Sequence, residues 1–149
     1  MYNYNYNLGK LTATGIVFNG KGQILLIKHK ILGVWLPPGG GLEQNEFAHI
    51  ACIREVFEET GIKVNIMSHN LNLTGEYFEE LPIPFCIRRF KDNTADSAFL
   101  CTAESYALKP QKSEVDDIGW YSLSEYAKMQ SFEDMKKVVN AAAKHLKIV

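Results

Sequence analysis

The sequence predicts an α/β layered domain, on three observations. Short β-rich runs lie before, between and after helical stretches; one helical segment closes on a glycine; and the C-terminal end repeats apolar residues at three- and four-residue intervals. A chain of 149 residues with 46% hydrophobic content can build one well-packed core and is short for two. Residues 1–149 are therefore expected to form a single domain, a mixed sheet with helices on both faces.

The elements follow in order. The start carries a low-complexity tract, "YNYNYN", to which no role is assigned. "LTATGIVFN" and "QILLIKHK" are β-rich runs separated by "GKG", a turn composition that predicts a hairpin. "GVWLPPGGG" holds two prolines and three consecutive glycines, which excludes regular helix and predicts an irregular loop. A helical pattern then runs from about Gln44 to Thr60, with Gly61 as its stop. Strands are expected in "KVNIM", "IPFCIRRF", "SAFLCTAESYAL" and "IGWYS", and helices in "SLSEYAKM" and "SFEDMKKVVNAAAKHLKIV". The last helix places Phe132, Met135, Val138, Val139, Ala142, His145 and Leu146 on one stripe.

Charge is unevenly spread. The net charge is −1, yet Gly40 to Ile62 holds five acids and one base, a local −4 against +3 for the rest. Concentrated acid without paired base usually needs a cation. No apolar run approaches roughly 18 residues, and the start lacks the apolar stretch of a signal peptide, so a cytoplasmic protein without a membrane segment is expected. Cys52, Cys86 and Cys101 are odd in number and show no CxxC spacing, which points to reduced core residues. No basic stripe interleaved with aromatics is present, so a docked nucleic-acid polymer is not expected.

At roughly 100° per residue, Phe47, Ile50, Ile53, Val56 and Phe57 gather on one side of the acidic helix, the expected core face. Glu55, Glu58 and Glu59 lie at i, i+3 and i+4 on the other side. Small residues Ala48, Ala51 and Cys52 precede them, where a groove could run. The acids could simply solvate an exposed face. The glycines immediately upstream shift the weight towards a ligand, because they permit close backbone approach to an anion or metal. Mg²⁺ prefers hard oxygen ligands and combines a few carboxylates with substrate phosphates.

Gly40, five residues, Glu46, seven residues, then Arg54-Glu55-Val56-Phe57-Glu58-Glu59-Thr60-Gly61-Ile62 resembles the signature of the Nudix (MutT-like) hydrolases, with every fixed position filled. The box spans 23 residues, 40–62, and "LPPGGG" and "GWYSLSE" also resemble family members. The resemblance implies a Nudix-type α/β/α sandwich with a mixed sheet. It implies a metal-dependent pyrophosphohydrolase using Mg²⁺ or Mn²⁺ on a nucleoside diphosphate linked to another moiety, such as a nucleoside triphosphate or ADP-ribose. It assigns Glu58, Glu59 and the Gly39 carbonyl to metal binding, and Glu55 to metal binding or general base. Gly40, Glu46, Arg54 and Gly61 are architectural, with Glu46 and Arg54 paired. A glutamate in a later loop is often catalytic or metal-binding in similar proteins; Glu114 is the choice here, with Asp116 and Asp117 as rivals.

Other candidates are weaker. Lys28 and Lys30, flanking His29, could meet substrate phosphates or form a solvated strand end. Trp35 could stack on a base, although loop packing is the commoner role. Tyr77 and Phe78 fall where family members carry substrate-selective residues. His49 and His69 have no histidine or cysteine at ligand spacing. The alternative function is a catalytically lapsed nucleotide-binding or sensor module of the same fold, and the intact Glu55, Glu58 and Glu59 set argues against it. The expected partner is a small nucleotide, and a homodimer is left open.

Overall fold

The computed structural model describes residues 7–110 and 113–149. The tyrosine- and asparagine-rich tract, up to Tyr6, lies outside the described residues. The elements are β1 (Leu11–Val17), β2 (Ile24–His29), β3 (Trp35–Leu36), β4 (Gly39–Gly41), α1 (Ala48–Thr60), β5 (Val64–Met67), β6 (Cys86–Arg89), β7 (Ala95–Ala103), β8 (Val115–Tyr121), α2 (Leu123–Lys128) and α3 (Glu133–His145). One sheet runs β4-β1-β7-β5, with β6 also paired to β7. Its β1–β7 pair is parallel and the others antiparallel, so the sheet is mixed. A second, antiparallel sheet has the order β3-β2-β8.

Strand alternation sends successive side chains to opposite faces. Ala13 and Val17 of β1 and Leu25 of β2 pack with Ala51, Cys52 and Val56 of α1. Ile16, Ile24 and Leu26 pack on the other side with Tyr126 of α2 and Val139 and Ala142 of α3. This is the α/β layered arrangement with helices on both faces that the sequence predicts.

Four local expectations are corrected. The strands flanking "GKG" form no continuous hairpin: they share one bridge, Phe18 to Ile24, and a hydrogen bond from the Asn19 N–H to the Gln23 carbonyl at 3.0 Å. They then part, because β1 finds seven parallel partners in β7 while β2 pairs with β8. The glycine-rich stretch is ordered strand, with β4 paired to β1 through Thr12–Gly41, Ala13–Gly40 and Thr14–Gly39. Only glycine fits there, since a β-carbon at Gly39 would lie 2.4 Å from the Ala13 carbonyl oxygen. The helix begins at Ala48, four residues later than Gln44, because Asn45 adopts a left-handed φ of 63° that no helix continues.

The fourth correction is the core face of α1. Phe47 and Ile50 are 58% and 45% exposed, whereas Ala51, Cys52, Glu55, Val56, Glu59 and Thr60 are buried. The reason is Gly15 on β1, where an added β-carbon would stand 2.5 Å from Val56 Cγ2 and 3.3 Å from Cys52 Sγ. Small residues facing a glycine let the helix settle close to the sheet, so the small side became the packed side and no groove runs there. The face of α3 follows its expected stripe at Met135, Val139 and Ala142, but Phe132 and His145 are exposed.

Gly15→Ala is predicted to destabilise by about 1–3 kcal/mol through overpacking against Val56. Adding Val56→Ala should return part of that loss in a double-mutant cycle followed by chemical denaturation. Additive losses would show that the close approach is not the constraint.

Candidate functional site

Helix α1 ends on Gly61 at φ 74°, whose N–H donates to the Phe57 carbonyl at 2.7 Å. Its N-terminal lead-in is folded back by Glu46, whose carboxylate accepts the Glu43 N–H at 2.8 Å and Arg54 Nε and Nη2 at 2.8 and 2.9 Å. Arg54 Nη1 also donates to Glu55 Oε1 at 2.7 Å and Glu58 Oε2 at 3.3 Å, and Nη2 to the Gly41 carbonyl at 2.9 Å. One guanidinium thus ties the lead-in, the helix and β4 together, with a bidentate pair at its centre. Its hydrogen bond from Arg54 holds Glu46 below the usual carboxylate range, and the same bond raises Arg54.

The next acid is fixed from the strand side. Glu59, 4% exposed, accepts the Gly39 N–H at 2.8 Å. Above Glu55, 6% exposed, a β-carbon on Gly40 would lie 2.7 Å from the carboxylate. Glu46, Glu55 and Glu58 thus share one guanidinium, with Glu43 3.7 Å from it and Glu59 held from the strand side, so carboxylates are concentrated in a largely sheltered place. Carboxylates so placed favour a nearby cation. Among the described residues no three acidic, histidine or cysteine side chains converge on one metal-ligating point. The donor set is nevertheless right for a hard divalent ion: carboxylate oxygens and strand carbonyls, with space over Glu55 that only glycine leaves.

A cavity of about 480 Å³ adjoins the same glycines. Thr12 and Thr14 line it, whereas Ala13 between them packs towards α1, so cavity and helix lie on opposite faces at the sheet edge. Its floor is Asp96, 2% exposed, which accepts the Thr12 and Thr14 hydroxyls at 2.7 and 2.9 Å and Arg88 Nη2 at 2.5 Å. The Arg88 guanidinium stands 5.2 Å from the Phe90 ring centroid. Leu36, Phe90, Phe132 and Met135 supply apolar walls.

A family model described as NUDIX domain matches residues 9–142. The chain belongs to the Nudix family. A MutT-like protein of Streptomyces ambofaciens is 39% identical over 70 residues, 47% of this chain and 43% of that protein. Nudix hydrolase 6 of Arabidopsis thaliana is 28% identical over 125 residues, 78% of this chain and 40% of that one. The chain spans less than half the length of these curated relatives. A NUDIX-family hydrolase from Clostridium perfringens superposes with a TM-score of 0.81 at 26% identity, covering 95% of this chain and 99% of that one.

The structure brings Gly39 and, from the Nudix box, Gly40, Glu46, Arg54, Glu55, Glu58 and Glu59 into one place. Glu114 is exposed in the turn before β8, with its carbonyl accepting the Lys30 N–H at 3.1 Å. Lys28 sits within β2 opposite Trp35 and Asp117, and Lys30 Nζ donates to the Ser113 carbonyl at 3.4 Å. Of that trio it is His29 that lines the cavity. Trp35 of β3 packs edge-on against Tyr121 of β8 with ring centroids 5.0 Å apart. Tyr77 is 90% exposed on a connection that does not line the cavity. His69 does meet a histidine, His145, at 5.6 Å between ring centroids. Cys52 and Cys101 lie 3.8 Å apart as buried free thiols; the contact with Cys101 and burial push Cys52 up.

The sequence reading missed Arg88 and Asp96. The signal was present: period two puts Asp96 on the face of Ala98 and Leu100, and a lone acid on a buried strand face requires a partner.

Because Glu46 is held below its ordinary value in the folded state, the stability it contributes is present above about pH 4.5 and is lost as pH falls through the depressed value. The melting-temperature gap between wild type and Glu46→Gln is predicted to be open near neutrality and to close in acid. A gap that does not change with pH would show that the Arg54–Glu46 ion pair adds nothing.

Proposed function

We propose that this Nudix protein is a metal-dependent pyrophosphohydrolase that cleaves a nucleoside diphosphate linked to another moiety. The observation that supports the reading is the placement of β4. Three glycines separate a sheltered acidic cluster on one face from an apolar cavity with a charged floor on the other. A nucleotide laid across that edge would put its base in the cavity and its diphosphate beside the acids.

Each end has a defined task. Phe90 and Phe132 offer flat apolar walls to a base, and Arg88, oriented by Asp96, offers donors to its polar edge. Glu58, Glu59, Glu55 and the Gly39 carbonyl would hold Mg²⁺ or Mn²⁺, with Glu114 as the further ligand or base supplied from outside the helix. When bound, the cation neutralises the diphosphate and lowers the pKa of a coordinated water. Glu55 accepts the proton of the attacking water, or Glu114 does so from the turn before β8. Arg54 is architectural: its donors are spent on Glu46, Glu55, Glu58 and Gly41. The ADP ribose bound by the NUDIX domain of Shewanella oneidensis NrtR, which shares this fold at TM-score 0.72, is one ligand worth including among those tried.

The test is a panel of nucleoside triphosphates, ADP-ribose, dinucleoside polyphosphates and nucleotide sugars with Mg²⁺ and with Mn²⁺, reading phosphate, pyrophosphate and nucleoside monophosphate. At least one member should release a nucleoside monophosphate, or another product of diphosphate cleavage, only when the cation is present. Saturable binding without turnover across the panel would support the lapsed-module alternative. Against the best substrate, Glu58→Gln is predicted to lower kcat by roughly 10²-fold or more, the scale of losing one electrostatic stabiliser of the transition state, with cooperative unfolding retained. Glu114→Gln, Asp116→Asn and Asp117→Asn, assayed across a Mg²⁺ titration, decide the outer residue. A wild-type kcat and metal dependence in Glu114→Gln removes it from the site.

A further inference from the structure

A second cavity, of about 720 Å³, opens at the other end of α3 from the one beside the glycines, and the two share no residue. The first touches Met135 and the second His145, which are separated by about 15 Å along the helix axis. β5 and β6 pair end to end with β7, and the chain leaves β5 into Ser68 and returns to β6 through Phe85. Met67, Ile83, Pro84 and Phe85 from these strand ends wall the cavity, and Leu100, 4% exposed, is its floor. Ser68 fastens the two walls, its hydroxyl accepting the Ile83 N–H at 2.7 Å.

The mouth is of another kind. His145 stands 5.6 Å between ring centroids from both Phe85 and His69, tilted to the first and edge-on to the second. Both imidazoles are exposed, and among the described residues their nitrogens make no hydrogen bond. Lys147 completes the rim just past the end of α3. Its N–H donates to the Lys144 carbonyl at 3.1 Å and the Ile148 N–H to the Ala143 carbonyl at 2.9 Å, the paired bonds that close a helix around one left-handed residue. Lys147 is that residue, at φ 58°, where glycine is usual. A basic side chain is thus kept at a position whose backbone favours none.

We propose that this cavity is a binding site for a small aromatic carboxylic acid, its ring against Phe85 and the histidines and its carboxylate at Lys147. Charge selects the anion: the lining holds one lysine and two imidazoles, all able to donate, and no acid. The apolar walls select the body, since a bare phosphate would leave them uncovered, whereas a concave apolar site with a few polar groups suits a small organic molecule. The lack of lining carboxylates also sets this site apart from the acids of α1. Nothing in the lining is suited to hold a divalent cation, so the acid is bound here as a ligand and not cleaved as a second substrate.

Amide NMR on the full chain tests this with cinnamate as the probe and cinnamyl alcohol as its uncharged counterpart. Cinnamate is expected to shift the Ile66, Phe85 and Leu100 amides saturably in the millimolar range while Thr12, Thr14 and Met135 stay in place, and the alcohol to bind more weakly. Lys147→Gly removes the charge and relieves the left-handed backbone, so cooperative melting should persist. It should weaken cinnamate by about threefold or more, the scale of one exposed charge pair, and leave the alcohol unaffected. The proposal is overturned by the absence of a saturable shift, by shifts confined to the cavity beside the glycines, by equal binding of the alcohol, or by unchanged cinnamate affinity in Lys147→Gly.

Discussion

The structure depends on Arg54. The carboxylates of Glu43, Glu46, Glu55 and Glu58 and one strand carbonyl converge on its guanidinium. A planar fork with five donors can grip one carboxylate in bidentate fashion and still reach others, whereas a lysine ammonium offers three donors and no fork. Its hydrogen bonds reach the lead-in through Glu46, the helix through Glu55 and Glu58, and β4 through Gly41. The loop before the helix therefore has a fixed course although it forms no regular element of its own. The bond to Glu46 also keeps that acid ionised, so the clasp reinforces itself near neutrality.

Close approach is the second constraint, and it is met by missing side chains. Gly15 lets Val56 and Cys52 settle against β1, Gly39 lets β4 lie flat on Ala13, and Gly40 leaves room for the Glu55 carboxylate. These contacts set the depth of α1 and hence the burial of Glu55 and Glu59. Fold and site are coupled here: the same packing that closes the core on one face aims two acids at the strand edge. The cavity on the other face depends on a separate polar device, in which Asp96 collects two threonine hydroxyls and the Arg88 guanidinium. A buried carboxylate with that many donors holds its neighbours in place, and Arg88 is thereby fixed beside Phe90.

The layered α/β class, the order of the elements and the acidic box could be read from the sequence because each rests on local pattern: period two, period 3.6, a terminal glycine and fixed motif spacing. The errors arose where tertiary packing overrode local pattern. A helical wheel ranks faces by hydrophobicity, and it chose Phe47 and Ile50; the sheet selected the small side because Gly15 admitted it. The hairpin expected around "GKG" lost to partners distant in sequence, β7 and β8. Prolines and glycines at 37–41 suggested irregularity, but a strand paired on one side tolerates glycine where a close neighbour demands it. Within the site, the Glu46–Arg54 pair was legible through the family's spacing. Arg88 and Asp96 were not picked out, since their meaning depends on β6 and β7 pairing side by side.

The central claim is that the acids on α1 exist to hold a divalent cation. Arg54 is shared among several of these carboxylates, and a bound cation would add positive charge where they are concentrated. The most direct measurement is a Mn²⁺ titration of the protein without nucleotide, followed by electron paramagnetic resonance of the free ion, on wild type, Glu59→Gln and Glu58→Gln. Saturable binding in wild type that weakens at least about tenfold in either variant, the scale on which loss of a ligand-shell group lowers metal affinity, is the predicted result. Equal affinity in all three proteins, or no saturable binding in wild type, would contradict it.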